Sequence, residues 1–171
     1  DSSARRKERH RLWAMIDLDA ESRVQPVLQS IVTNQVFVSP TLALFERRAE
    51  KEGTTEAEVL GFANMMRFIG MCHQAGEQMV VGSHTSAPFA PRGRAYQREL
   101  ELLVQAGMTP MEAITAGTLN NARFFHIDDR LGTIEVGKLA DLVLVQGDPS
   151  TNIQHMNQVQ RVMLNGQWVR R

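Results

Sequence analysis

The sequence contains a single cysteine, Cys72, among its 171 residues. An intramolecular disulfide and a zinc site built from several cysteines are therefore excluded. Basic and acidic side chains number 19 each, so no net charge draws the whole molecule to nucleic acid or to an anionic membrane. Apolar runs fall short of the roughly 18 residues of a membrane-spanning helix, and no signal peptide opens the chain. We expect a soluble, cytoplasmic protein without nucleic-acid or membrane partners.

A basic stretch near the start is the main local departure from this charge balance. It contains Arg5, Arg6, Lys7, Arg9 and Arg11. Such a stretch could contact nucleic acid, but a solvated loop or the first turn of a surface helix is the simpler interpretation. We assign it no function.

Hydrophobic side chains make up 43% of the sequence and charged side chains 22%, which is typical of a globular protein. Apolar spacing and capping residues predict four helices, at about 20–33, from Thr55 to Gly76, around 100–107, and from Thr109 to about Phe125. Short apolar runs predict strands at 36–38, 79–81, near Ile134, at 142–145 and at 162–164, with a hairpin turn at Asn165-Gly166. The alternation predicts α/β packing with a parallel sheet, followed by a separate β layer.

Local catalytic motifs are absent from the sequence. No two of the five histidines have the spacing of a metal-binding pair, and no phosphate loop or nucleophile motif occurs. The polar segment from Gly82 to Pro88 follows a predicted parallel strand, where α/β folds place their chemistry. His84 lies in this segment as a candidate catalytic residue. A loop histidine that contacts only solvent or neighbouring backbone is the alternative.

Several longer segments carry a family resemblance. They are Pro40–Leu42, Val80–His84, Arg98–Ala113, Thr118–Arg123, and Leu131–Val143 followed by Gly147-Asp148-Pro149. In this order they resemble the amidohydrolase superfamily of metal-dependent hydrolases, particularly its imidazolonepropionase and Xaa-Pro dipeptidase-like branch. The segment that begins at Leu131 is the most specific of them.

The resemblance implies the C-terminal part of a TIM (β/α)8 barrel. Residues 1–128 would supply the last two barrel strands and the helices that follow them, and residues 129–171 part of a small β-sandwich. Asp141 is expected to cap or pair locally there. Because two strands of eight cannot close a barrel, we expect unpaired apolar edges on both. The chain would then lack an N-terminal portion or form a homo-oligomer.

The resemblance also implies hydrolysis of a carbon–nitrogen bond in a small amide, cyclic amide or peptide, by water activated on a divalent metal, usually zinc. The family's His-x-His pair, its lysine and its middle-strand histidines have no counterpart in this sequence. His84 stands where the family has an aspartate after the eighth strand. It would serve as metal ligand or base in the parent enzyme, or mark a site that has lost its usual base. Arg94 and Tyr96 could contact a substrate carboxylate, although surface contacts explain them equally well.

Two interpretations follow. The first is a portion of a metal-dependent amidohydrolase that is inactive as this chain alone and holds no metal by itself. The second is a non-catalytic interaction or scaffold module that kept the fold and lost the chemistry.

Overall fold

A computed structural model describes residues 2–84 and 86–169. The first half contains α1 (Ser2–Ala14), α2 (Glu21–Thr33), β1 (Phe37–Val38), α3 (Leu42–Phe45), α4 (Glu56–Ala75) and β2 (Gln78–Met79). The second half contains α5 (Ala95–Gln105), α6 (Pro110–Thr115), a π-helical segment (Ala116–Asn120), α7 (Asn121–Phe124), β3 (Leu142–Val145), a 3-10 helix (Ile153–Asn157), β4 (Val159–Leu164) and β5 (Gln167–Trp168). The α/β class predicted from the sequence is confirmed.

The strands form two separate sheets. β1 and β2 pair in parallel, with Phe37 opposite Gln78 and Val38 opposite Met79. β3, β4 and β5 form an antiparallel sheet, in that order. The parallel pair with its helices and the later antiparallel sheet both follow the predicted division, since parallel strands need a long helical crossover and antiparallel strands need only a turn.

Local capping signals explain where two helices begin. Thr55 accepts a hydrogen bond from the Glu58 amide while the Glu58 side chain accepts one from the Thr55 amide, so α4 begins with a complete capping box. Thr109 and Glu112 form the same arrangement at α6, with Pro110 at its first position. Gly76 ends α4 in the left-handed conformation, with φ of 87°. The sequence spacing predicts all of these ends.

The main core lies between α4 and α5. Phe62, Met65 and Ile69 of α4 pack with Leu100 and Leu103 of α5 in one buried cluster. A second cluster contains Leu18, Val24, Leu28 and Cys72. The expectation that Cys72 is a core residue is confirmed, because it is 1% exposed and burial raises the pKa of its thiol to about 12.

The basic stretch is part of a full helix. α1 runs for 13 residues and packs along α4 at Gly61, where a Cβ would lie 2.1 Å from the carbonyl oxygen of His10. His10 is completely buried, and its ring nitrogens lie 2.8 Å from the carbonyl oxygens of Arg6 and Phe45. Of the two assignments expected for the basic stretch, the helix is the one that forms, although the stretch extends beyond the first turn.

The helix predicted from Thr109 to about Phe125 changes its hydrogen-bond pattern along its length. Its α-helical start ends at Thr115, and five residues of π-helix lead into α7. The Gly117 carbonyl within the π segment accepts the hydroxyl of Tyr96 at 2.7 Å. The Tyr96 hydroxyl of α5 thus donates to a carbonyl that in a regular α-helix would accept a backbone N–H from its own helix.

The C-terminal region is anchored to the main core by its 3-10 helix, whose Ile153 is buried there. Asp141 accepts the backbone N–H of Asn165 at 2.6 Å, which confirms the expected local role. The strand expected near Ile134 does not form, and Ile134 is 88% exposed. Among the described residues, no helix is long and apolar enough to cross a membrane.

Candidate active site

The carboxyl ends of β1 and β2 lie side by side because the two strands are parallel. Ser39-Pro40-Thr41 follows β1, and the segment from Val80 to His84 follows β2. The two ends touch at Gly82, where a Cβ would lie 2.8 Å from the Ser39 hydroxyl oxygen. Glycine allows this close approach, and a larger residue here would force the Ser39 side chain to move. The pairing therefore places the residues that follow β1 next to the start of the polar segment that the sequence indicates after β2.

A buried carboxylate fixes the chain after β1. Thr41 adopts the left-handed conformation, with φ of 51°, and turns the chain into α3. The amides of Leu42 and Ala43 then each donate a hydrogen bond of 2.7 Å to the carboxylate of Glu99 on α5. Glu99 is fully buried, and burial raises its pKa to about 7, with the neighbouring charge of Glu46 acting in the same direction. Sequence patterns missed Glu99 because a charged residue in an amphipathic helix is expected on the solvated face.

A group of paired charges lies beside Glu99. Glu46, 2% exposed, accepts hydrogen bonds from both Arg98 and Arg48. Burial alone would raise the pKa of Glu46, but these guanidinium partners outweigh it and hold the pKa below its usual range. Arg98 also contacts Glu101 at 2.6 Å. The pair formed by Glu46 and Arg98 ties the end of α3 to α5.

Two asparagines cover the outer edge of β2. The Val80 amide donates to Val38 of β1, so the groups of Met79 and Val81 point to the other side. There the Asn121 side chain accepts the Val81 N–H and donates to the Val81 carbonyl, both at 3.0 Å, and Asn120 donates to the Met79 carbonyl at 2.9 Å. The expectation that both strands leave their edges unpaired is therefore wrong for β2, because side-chain amides replace a neighbouring strand.

His84 is exposed and makes no hydrogen bond to the described residues. Three of the other four histidines have separate contacts: His10 with backbone carbonyls, His73 with Glu112 at 3.5 Å, and His155 with the backbone of Asp148. Within residues 2–84 and 86–169, no three His, Cys, Asp or Glu side chains are grouped to hold a metal ion. The donor set of the described residues does not fit a divalent metal, which takes four or more ligands.

A cavity of about 500 Å³ opens between the loop after β2, α5 and the 3-10 helix. Its lining residues are Phe89, Ala90, Pro91, Arg94, Arg98, Glu101 and Asn157. Arg94, one of the predicted substrate contacts, lies in this wall and donates to the Asn157 carbonyl. Tyr96 is outside the lining. Its hydroxyl donates to Gly117, and burial raises its pKa to about 12.

An α/β fold with polar loops at the carboxyl ends of parallel strands belongs to the class in which enzymes build active sites from those loops. Residues 92–169 match the amidohydrolase family. The resemblance to that family drawn from the sequence is therefore confirmed.

Named relatives agree with the family match. The imidazolonepropionase of Thermoplasma volcanium is 39% identical over 67 residues, which are 37% of this chain and 17% of the relative. An adenine deaminase of Lactiplantibacillus plantarum is 30% identical over 125 residues, 70% of this chain and 19% of the relative. The crystal structure of a Xaa-Pro dipeptidase with bound methionine in the active site superimposes with a TM-score of 0.70 and 26% identity.

The coverage of these comparisons is unequal. The superposition covers 92% of this chain but only 38% of the dipeptidase. The two curated relatives are matched over less than a fifth of their own length. The chain therefore corresponds to a minor part of each relative.

Proposed function

We propose that this chain is the C-terminal portion of a metal-dependent amidohydrolase that hydrolyses carbon–nitrogen bonds in small amides, cyclic amides or peptides. The observation that carries the proposal is the adjacency of the loops after β1 and β2 in a chain that matches the family. In the proposal these are the last two strands of the barrel, and β3 to β5 belong to a β-sandwich beside it. The relatives named above, an imidazolonepropionase, a deaminase and a dipeptidase, support the reaction class.

The proposed chain is not a complete catalyst. The described residues do not group metal donors, and the chain corresponds to 38% of the dipeptidase structure. A divalent metal, zinc in the simplest case, would need ligands from another part of the polypeptide or from a partner chain. In this proposal a missing N-terminal portion, or further copies of the chain, complete the site.

His84 is the proposed catalytic residue of this portion. It lies just after the end of β2, is exposed to solvent and makes no hydrogen bond to the described residues, so its ring nitrogens are available to a reacting molecule. A neutral imidazole accepts a proton near pH 7, which is the role of the aspartate that the family has at this position. His84 would take the proton from the attacking water.

Arg94 and Tyr96 are proposed to contribute to substrate binding in different ways. Arg94 lines the cavity and can meet a carboxylate directly. Tyr96 donates its hydroxyl hydrogen to the Gly117 carbonyl. It would therefore act indirectly, by positioning the π-helical segment that contains Gly117.

A second candidate function is a non-catalytic interaction module. It is favoured by the replacement of the family's aspartate with His84 and by the lack of grouped metal donors among the described residues.

A chimera separates these two functions. The matched 38% of the Xaa-Pro dipeptidase is replaced by this chain, once with His84 and once with His84→Ala. The catalytic proposal predicts a folded, metal-binding chimera that hydrolyses an Xaa-Pro dipeptide and loses about a hundredfold or more of its kcat in His84→Ala. A folded, metal-binding but inactive chimera that His84→Asp restores would instead establish the non-catalytic module.

A further inference from the structure

The cavity wall contains four charged or amide side chains, and most of them already have partners. Arg98 contacts Glu46 at 2.8 Å and Glu101 at 2.6 Å. Glu101 also accepts a hydrogen bond of 2.7 Å from the Asn157 side chain. The charges of Arg98 and Glu101 are thus satisfied inside the protein and leave little attraction for a ligand.

Arg94 differs from these neighbours. Its Nη1 atom donates to the carbonyl oxygen of Asn157, and no carboxylate contacts it within residues 2–84 and 86–169. A guanidinium carries five N–H donors, so the Nε and Nη2 edge remains for another acceptor. This edge has the geometry that binds a carboxylate through two parallel hydrogen bonds. The side chain is half-buried, and its attachment to Asn157 limits the entropy lost on binding.

Another part of the wall is apolar. Phe89, Ala90 and Pro91 supply it, and the Arg48 guanidinium lies 4.4 Å from the centre of the Phe89 ring. This cation–π contact holds the ring in place. The volume of about 500 Å³ lies within the range of small-molecule pockets.

We propose that this cavity binds a small carboxylate that carries an apolar group, of the size of an acylated amino acid or a dipeptide. Arg94 receives the carboxylate, and Phe89 with Pro91 contacts the apolar group. The inference rests on the proposed function in one respect, since such a molecule would be the substrate or product of the hydrolase. His84 and the part of this wall from Phe89 to Arg94 belong to one stretch of sequence between β2 and α5.

Binding is measured without reference to catalysis. The isotope-labelled full chain is titrated with N-acetyl-L-leucine and, as a neutral match, with N-acetyl-L-leucinamide, and amide NMR shifts are followed. We expect saturable shifts at Phe89, Ala90 and Arg94 with the acid, and at least about tenfold weaker binding of the amide.

Variants assign the effect to Arg94. Arg94→Gln should weaken binding of the acid about tenfold or more, whereas Arg92→Gln, an exposed arginine of the same loop outside the lining, should leave it unchanged. If Arg94→Gln fails to fold, Arg94→Lys keeps the charge without the paired donors and should bind more weakly than the wild type.

Equal binding of acid and amide, no saturable shift, or equal losses in the two glutamine variants would overturn the inference. The outcome is independent of the dipeptidase chimera. A chimera that hydrolyses its substrate while the cavity binds no carboxylate would contradict only this inference.

Discussion

Glu99 lies inside the molecule with its carboxylate on the backbone amides of Leu42 and Ala43, close to the second buried carboxylate, Glu46. The pKa values of the two carboxyls are shifted in opposite directions from their usual value. Arginine partners lower the pKa of Glu46, whereas burial raises that of Glu99 to about 7. Above pH 4.5, the change in the free energy of unfolding with pH should therefore depend on Glu99 in particular.

The substitution Glu99→Gln tests this dependence. A carboxyl whose folded pKa exceeds its unfolded value stabilises the fold most at low pH, and that contribution is lost as pH rises through the folded pKa. Between pH 4.5 and about 7, the free energy of unfolding of the wild type should fall by about 3 kcal/mol relative to Glu99→Gln. Urea unfolding at several pH values measures the difference. Glu56→Gln, at an exposed position of α4, is the control, and parallel curves for wild type and Glu99→Gln would refute the assignment.

At this scale the sequence predicts short-range contacts and misses long-range ones. The capping pairs at Thr55 and Thr109 follow from a spacing of three residues. The partners of Glu99 are 56 and 57 positions away, and no local pattern marks them. His84 stood out in the sequence because it lies in a polar segment after a predicted strand, whereas Asn121 offered only an ordinary helical position.

Between elements, two hydrogen bonds join the Asn121 side chain to the Val81 backbone: Asn121 accepts from the Val81 N–H and donates to the Val81 carbonyl. This contact joins the start of α7 to the segment that follows β2 and continues to His84. A strand that joins this edge at Val81 would have to displace the asparagine. The contact therefore sets both the position of the loop and the way in which the parallel pair can be extended.

Replacing Asn121 by Leu should weaken the protection of the Val81 amide against hydrogen exchange. The Val81 N–H would lose its acceptor, while the Val80 N–H keeps the carbonyl of Val38. Loss of a buried hydrogen bond costs about 1–3 kcal/mol, so exchange of the Val81 amide should accelerate about tenfold or more relative to Val80. Asn121→Asp retains the acceptor and should keep Val81 protected.

Hydrogen exchange by NMR provides the measurement, with Asn34→Ala as a control because the Asn34 amide bonds only within its own helix end. If Val81 exchanges at the same rate in Asn121→Leu and in wild type, the asparagine does not hold this edge.

The helices were more predictable than their internal geometry. α2 and α4 lie within a residue of the predicted bounds because their apolar spacing and caps are local. The π segment was not foreseen, since it coincides with the hydroxyl of Tyr96, 21 positions away, on the Gly117 carbonyl. The missing strand near Ile134 shows that an apolar residue without a paired partner does not define a strand.

For the molecule as a whole, the antiparallel sheet leaves an apolar face in solvent. Val143 and Val162 lie opposite each other, with Leu164 two residues further along β4. Their exposures are 54%, 37% and 60%. An apolar patch of this kind favours association. The proposed β-sandwich would cover the face with further strands, and in the isolated chain a second copy is available instead.

The double substitution Val143→Thr and Val162→Thr should reduce self-association of the isolated chain. Threonine keeps the branched shape and strand preference of valine while making the face more polar. We expect the dimer dissociation constant from sedimentation to rise about tenfold or more. Val136→Thr, at a fully exposed turn position outside the sheet, should leave it unchanged. A strictly monomeric wild type, or equal effects of the two variants, would contradict this expectation.

The α/β class and the family were accessible from the sequence because both depend on ordered local segments. The shape of the cavity and the covered edge of β2 were not, since each requires side chains from elements that meet only in the folded chain.

The central claim, that this chain is one portion of an amidohydrolase and lacks a complete metal site, is tested most directly by native mass spectrometry after incubation with zinc. One spectrum reports the number of chains and the number of bound ions. The account predicts a monomer or simple homo-oligomer without stoichiometric zinc. One zinc ion per chain, accompanied by hydrolysis of amides or dipeptides, would contradict it.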